Sequence, residues 1–195
     1  DLVPVFEWRF RSGVVVMDKP PGEYDLTGVV DSPQFFGPAR DGRVSDPGLD
    51  TDWQAKTPEE CWRRPVGAGW SGFSVIGDYA ITQEQRGEDE VVVCLDLATG
   101  GERWSHTDRA RYDNPVAGEG PRATPTIHAG LVFTQGSTGI LNCLVLATGE
   151  VRWTKNIRKD NDARLPEWGV AGSPLILDKL VVVSAGGTKG RSLVA

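Results

Sequence analysis

From Gly72 onward the apolar positions fall in short runs divided by turn residues, a spacing that favours short strands over long helices. Residues 123–128, 131–135, 140–146 and 151–155 read as four strands, separated by Ala129-Gly130, Ser137-Thr138-Gly139 and Ala147-Thr148-Gly149. Each connection is short enough for a hairpin. An earlier set, residues 72–76, 79–85, 90–97 and 102–106, fits the same scheme. The two sets are copies of each other: the run Cys94-Leu95-Asp96-Leu97-Ala98-Thr99-Gly100-Gly101-Glu102-Arg103-Trp104 returns 49 residues later as Cys143-Leu144-Val145-Leu146-Ala147-Thr148-Gly149-Glu150-Val151-Arg152-Trp153. The same offset carries Thr124-Pro125-Thr126 onto Ser173-Pro174-Leu175. It also carries Leu131-Val132-Phe133-Thr134 onto Leu180-Val181-Val182-Val183, and Cys143-Leu144-Val145-Leu146 onto Ser192-Leu193-Val194-Ala195.

A four-stranded antiparallel meander of about 40 to 50 residues, repeated, is the sequence signature of a β-propeller blade. One blade cannot bury both its faces, so neighbours must cover them, and closure into a ring removes the long exposed edges. The Thr99-Gly100 and Thr148-Gly149 turns join the third and fourth strands; glycine takes a positive φ without steric cost and the threonine hydroxyl bonds locally. Trp104 and Trp153 follow on the outer strands, where a large ring fills the gap between diverging blades. Cys61-Trp62-Arg63-Arg64-Pro65-Val66 reads as a further outer strand, with its own Trp62 but no preceding strands and no partner. The expected fold is all-β, with the first two to three four-stranded blades in residues 58–195. Such a set is an incomplete ring, because rings take about 4 to 8 blades. Residues 1–57 show no repeat and read as a leading segment or linker from an upstream, membrane-anchoring segment. The chain begins at Asp1 and is expected to be the N-terminal portion of a propeller of seven or eight blades.

Composition agrees with many turns and a real core: 24 glycines, 13 prolines, seven tryptophans against one methionine, and 39% hydrophobic residues. The balance of 21 Lys+Arg against 27 Asp+Glu, net −6 with no basic run, removes the electrostatic footprint of nucleic-acid binding. No apolar stretch approaches the roughly 20 residues that cross a bilayer, so membrane contact is expected only through a segment not in this chain. Cys61, Cys94 and Cys143 form no CxxC or CxxCH, which removes metal and haem readings. Cys94 and Cys143 hold equivalent places in neighbouring blades, beyond the roughly 4.4 to 6.8 Å Cα separation of a disulfide, and read as small core residues. Cys61 reads as a free buried thiol. His106 and His128 lack ligand-type partners, and Asp160-Asn161-Asp162 lacks the glycine and terminal glutamate of a calcium loop.

The spacing around Asp96-x-x-Thr99-Gly100-x-x-x-Trp104 resembles the tryptophan-docking repeat of the pyrroloquinoline-quinone (PQQ) type propellers. That superfamily holds quinoprotein alcohol dehydrogenases and the propeller lipoprotein of the outer-membrane assembly machinery. One copy is complete, and a second departs where Val145 replaces the aspartate. The resemblance implies structural docking roles for Trp62, Thr99, Gly100, Trp104, Thr148, Gly149 and Trp153. The run Asp31-Ser32-Pro33-Gln34-Phe35-Phe36-Gly37-Pro38-Ala39-Arg40-Asp41-Gly42 is similar to a leading segment of bacterial quinone-repeat propellers labelled polyvinyl-alcohol dehydrogenases. In the dehydrogenases, the stretch resembling Gly172-Ser173-Pro174-Leu175-Ile176 to Ser184-Ala185-Gly186-Gly187 leads to a calcium-binding glutamate, whose place here is Thr188. A neutral hydroxyl is a poor ligand for that hard dication, and the adjacent-cysteine disulfide of those enzymes has no counterpart.

Two further groups of residues are candidates for chemistry. Gln83-Glu84-Gln85-Arg86-Gly87-Glu88-Asp89-Glu90 closes one strand and enters a turn, with Glu84 and Arg86 either lining a channel mouth or forming a solvated acidic hairpin tip. The stretches around Gly67–Ser71, Arg109–Arg122 and Leu165–Val170 precede successive inner strands and therefore share one face of the propeller. Trp70, Tyr112, Arg122 and Trp168 then either converge into a binding surface, aromatic and arginine residues being the composition of binding hot spots, or only pack the loops. The expected function is a non-catalytic binding or scaffold propeller of the bacterial envelope or periplasm, for protein or peptide partners such as envelope assembly components, with no catalytic residue, metal or cofactor. The alternative implied by the resemblance is a PQQ-dependent dehydrogenase of alcohols or sugars, with calcium.

Overall fold

A computed structural model describes residues 31–43, 48 and 50–195; of the stretch expected to be a leading segment, residues 1–30, 44–47 and 49 lie outside the described set. The described residues form three antiparallel sheets in succession. The first contains β1 (Ser74–Ile76), β2 (Tyr79–Arg86), β3 (Asp89–Asp96) and β4 (Glu102–Asp108) in that spatial order. The second repeats the meander with β5 (Thr126–His128), β6 (Leu131–Gln135), β7 (Ile140–Val145) and β8 (Val151–Asn156). A one-turn helix, α1 (Ile157–Asp160), follows, capped by the Asn156 side chain accepting from Lys159 N–H. The third sheet has β9 (Leu175–Leu177), β10 (Leu180–Ser184) and β11 (Leu193–Val194).

Strand pairing carries the repeat into geometry. Cys94 lies opposite Trp104 and Cys143 opposite Trp153, and each ladder slips by one residue at the next position. That shared bulge sets the twist of each outer strand. The first strands β1, β5 and β9 lie side by side, so the sheets converge on one edge as blades around an axis, with the ring unclosed in this chain. Between the first and second sheets, Ile81, Val92 and Cys94 meet Ile127, Val132 and Leu144. Leu141, Ile157, Val170, Val183 and Ala185 fill the next junction. The inner strands are tied by a repeated polar bond: Ser74 Oγ donates to Pro125 O at 2.6 Å, and Thr126 Oγ1 donates to Pro174 O at 2.6 Å. In the third sheet the corresponding position is Leu175, which has no hydroxyl to continue the series.

Three expectations are corrected. Residues 61–66 form no strand, because their partners are a turn: Trp62 Nε1–H donates to Leu97 O at 2.8 Å and Arg64 donates to Gly100 O at 3.1 Å. Cys61 is exposed, since that segment runs over the surface of the first sheet. Glu84 is neither a channel lining nor a solvated tip; it is buried, accepts Gly67 N–H at 2.6 Å and pairs with Arg86 at 2.6 Å. Cys94 and Cys143 are free and buried.

Candidate functional site

In an antiparallel meander the β2–β3 and β6–β7 hairpins point to the same end as the connections between sheets. The Thr-Gly turns point to the other end. This places the stretches 67–71, 109–125 and 157–174 on one face, and the hydrogen bonds hold them together as a single surface. Trp70 N–H donates to Pro121 O at 2.7 Å. Gly120, at φ +84°, brings its backbone so close to Ala68 O that a Cβ there would lie 2.4 Å away. Within the 109–125 connection, Asn114 Oδ1 accepts both Val116 and Ala117 N–H at 2.8 Å, which folds the turn locally.

Arg122 and Tyr112 occupy the middle of this face. The guanidinium lies over the Tyr112 ring at 4.4 Å and donates to Ala117 O at 2.7 Å, to Gly118 O at 2.9 Å and to Gly120 O. Burial pulls its pKa below the ordinary arginine value, opposed by Tyr112 and Glu90. Tyr112 is buried and its hydroxyl donates to Glu167 O, which also accepts from Asn114 Nδ2 at 3.1 Å. Trp168 is the next residue, and Gly169, at φ +71°, packs against the Tyr112 ring. A continuous chain of contacts thus runs from Trp70 through Pro121, Arg122 and Tyr112 to Glu167 and Trp168. The two indoles at its ends are 55% and 54% exposed, whereas Tyr112 and Arg122 between them are spent on holding the loops.

Ser137 is a residue whose part in this face has no local signal in the sequence. Its N–H donates to Glu90 Oε1 at 2.9 Å, its hydroxyl to Gly120 O at 2.7 Å, and its carbonyl accepts Val170 N–H at 2.8 Å. One small residue of the β6–β7 hairpin therefore ties the first sheet to both connecting loops. At the rim Arg111 ties the 109–125 connection to the first sheet alone, donating to Gly87 O at 2.8 Å and pairing with Glu119 of its own loop at 2.5 Å.

At the opposite end, Trp62 and Trp104 have equivalent surroundings. Trp104 Nε1–H donates to Leu146 O at 2.8 Å, and its ring lies where a Cβ on Gly149 would sit, 2.6 Å from Cε3. Trp62 stands in the same way against Gly100, at 2.6 Å. Thr99 receives a partner that Thr148 lacks: Asp96 Oδ1 accepts both its N–H and its hydroxyl at 2.9 Å. Arg103, bonded to Asp96 Oδ2 at 2.5 Å, holds that carboxyl below the usual range, helped by the Thr99 bonds. Val145 removes this set from the second repeat, while a bond common to both repeats remains: Thr148 Oγ1 accepts Glu150 N–H at 3.3 Å as Thr99 Oγ1 accepts Gly101 N–H at 3.2 Å. Trp153 packs on Phe133 at 6.1 Å and borders the third sheet.

Thr188 is exposed in a turn whose carbonyl accepts Arg191 N–H at 3.3 Å, and among the described residues no group of three or more His, Cys, Asp and Glu gathers to hold a metal. At the position that the resemblance assigns to a calcium ligand, Thr188 offers a hydroxyl and a backbone oxygen already engaged, not a carboxylate.

Residues 43–195 match the family described as outer membrane protein assembly factor BamB. The structure is similar to that of BamB from Moraxella catarrhalis, with 16% identity and a TM-score of 0.50 over 64% of this chain and 37% of that one. It is also similar to quinohemoprotein alcohol dehydrogenase from Comamonas testosteroni, with 19% identity and a TM-score of 0.45 over 63% of this chain and 18% of that one. The chain therefore spans well under half the length of these solved relatives. No curated protein matches it.

Proposed function

This chain belongs to the family of the outer membrane protein assembly factor BamB, and on that premise we propose that it acts as a non-catalytic scaffold whose loop face binds a protein or peptide partner in the bacterial envelope. The observation that carries this reading is the pair of half-exposed indoles, Trp70 and Trp168, at the two ends of a rigid run built on Arg122 and Tyr112. Rigid aromatic anchors lose little conformational freedom on binding, and a prearranged surface spends less of its interaction energy on ordering. Here the ordering is done in advance by buried groups: Tyr112 ties one loop, Arg122 caps three carbonyls of another, and Ser137 joins both to the first sheet. In this reading the chain carries no resident cofactor, its partners are envelope assembly components, and its place is the periplasm.

A photoreactive amino acid placed at position 70 or 168, and at His128 on the opposite end as a control, tests it in cells. Adducts with a protein partner are expected from the first two positions. Trp70→Ala or Trp168→Ala should each weaken that interaction by about tenfold or more, the scale of a hot-spot residue. Equal adducts from His128, or none from either indole, would remove the loop face as the binding surface.

A further inference from the structure

Residues Asp31–Gly42 belong to none of the three meanders, yet they cross all of them. Ser32 and Val75 exchange N–H···O bonds at 2.9 Å in both directions, and the Asp31 carboxylate accepts Gly77 N–H at 2.8 Å. Pro33 O then accepts Ile127 N–H at 2.7 Å. After a turn, Arg40 donates to Pro174 O at 3.1 Å and to Ser173 O at 3.5 Å, steadied by Gln34 Oε1 at 3.2 Å. Val75 is in β1, Ile127 in β5, and Ser173-Pro174 leads into β9. These are the first strands of the sheets, and the edge each turns away from its second strand carries backbone groups that the sheet's own ladder leaves over.

The attachment is made by main chain, the Asp31 carboxylate at its start and one guanidinium at its end. Phe35 and Phe36, the large apolar side chains of the segment, stack on each other at 4.0 Å and stay 40% and 58% exposed. A core segment would bury them. Main-chain pairing to a sheet edge, with a single side chain giving selectivity, is instead the chemistry of strand addition. The two neighbouring carbonyls suit the forked guanidinium better than a single ammonium.

We propose that the axial edges of β1 and β5, together with the Ser173 and Pro174 carbonyls, form a binding site for an extended arginine-bearing peptide, filled here in cis by residues 31–42 and open to exchange with such a peptide in trans. The site lies apart from the loop-face indoles and does not depend on them.

The test uses the full chain and a fluorescent peptide with the sequence of residues 31–42. Ser32→Pro with Arg40→Met removes one edge bond and the guanidinium, and so releases the cis segment. The released variant is expected to bind the peptide saturably, and the unaltered chain at least about tenfold more weakly, because its own segment competes at high effective concentration. A peptide with methionine in place of the arginine should lose about tenfold. Hydrogen exchange gives the second readout: the Val75 and Ile127 amides should lose protection in the released variant and regain it with peptide, while Cys94 and Leu144 keep theirs. Equal binding by both proteins, no binding by the released variant, or loss of protection at Cys94 and Leu144 as well would each overturn the proposal. Trp70→Ala and Trp168→Ala should leave peptide binding unchanged, so failure here and failure of the loop-face reading are told apart.

Discussion

Glu90 is 4% exposed on β3, where the first sheet meets the second, with Gly136 pressed against its carboxyl. Burial pushes its pKa above the ordinary carboxylate value; the Ser137 bonds pull the other way, Asp108 adds to the rise and Arg122 opposes it. A carboxyl with a raised folded pKa binds its proton more tightly in the folded than in the unfolded state. Its cost is therefore absent below the ordinary glutamate value of 4.5, grows as pH climbs from there through the raised folded value, and is complete above it. In urea titrations across this window, Glu90→Gln should be more stable than the unaltered chain at neutral pH, with the difference vanishing near pH 4; parallel profiles would show that the burial is not sensed. Cysteine reactivity follows the same physics. Burial pushes the Cys94 thiol up to about 12 and raises Cys143, whereas Cys61 is exposed. A thiol reagent at pH 8 should modify Cys61 promptly and the other two only on unfolding, and rapid reaction of all three would contradict the packed junctions. The burial of Glu84 and Glu90 was illegible in their own polar neighbourhood because their partners, Gly67 N–H and Ser137 N–H, are supplied from 17 and 47 residues away.

At the scale of the elements, the tryptophan and the Thr-Gly turn form one joint between neighbouring repeats. Trp104→Phe keeps most of the ring but leaves Leu146 O without its donor, a loss of about 1 kcal/mol. Gly149→Ala should cost more than that, since a left-handed φ of +73° and a Cβ 2.6 Å from the Trp104 ring act together. Thermal unfolding of the two variants checks the order, and a neutral Gly149→Ala would mean that the ring does not sit there in solution. Thr126→Val should cost about 1 kcal/mol, the worth of one hydrogen bond, because Pro174 O keeps its bond from Arg40. The strand bounds were legible to within a few residues because the repeat supplies two independent views of each strand, and turns such as Ala129-Gly130 mark the ends. The third strand of the first sheet, expected over residues 90–97, is Asp89–Asp96. Residues 61–66 were misread for the opposite reason: Trp62 carries the outer-strand signal, but it is the turn at Gly100 and not a neighbouring strand that receives it. The contact of Tyr112 with Glu167 was equally hidden, being a side-chain bond across 55 residues.

For the whole molecule, the two ends of the stack of sheets differ. The outward face of the first sheet, built on Ala80, Val91, Val93 and Leu95, is covered by Trp62. The third sheet pairs Leu177 with Leu180 and Ser184 with Leu193, and alternation along the strands puts those three leucines on the face turned away from the second sheet. All three are exposed, and no described residue covers them as Trp62 covers the first sheet. Val181, Val183 and Val194 take the other face, packed in the junction with Leu141 and Trp153. An apolar sheet face of this kind is stable only when another surface lies on it. The chain by itself should therefore associate as its concentration rises and bind a hydrophobic dye. Leu177→Lys with Leu180→Glu places a charged cross-strand pair on the same face without touching the packed junction, and should abolish both effects while leaving the melting temperature within a few degrees. Sedimentation velocity over a concentration series separates the outcomes. A chain that stays monomeric and dye-free without the substitutions would mean that residues outside the described set lie over these leucines, and the open edge of the stack would then be capped at both ends.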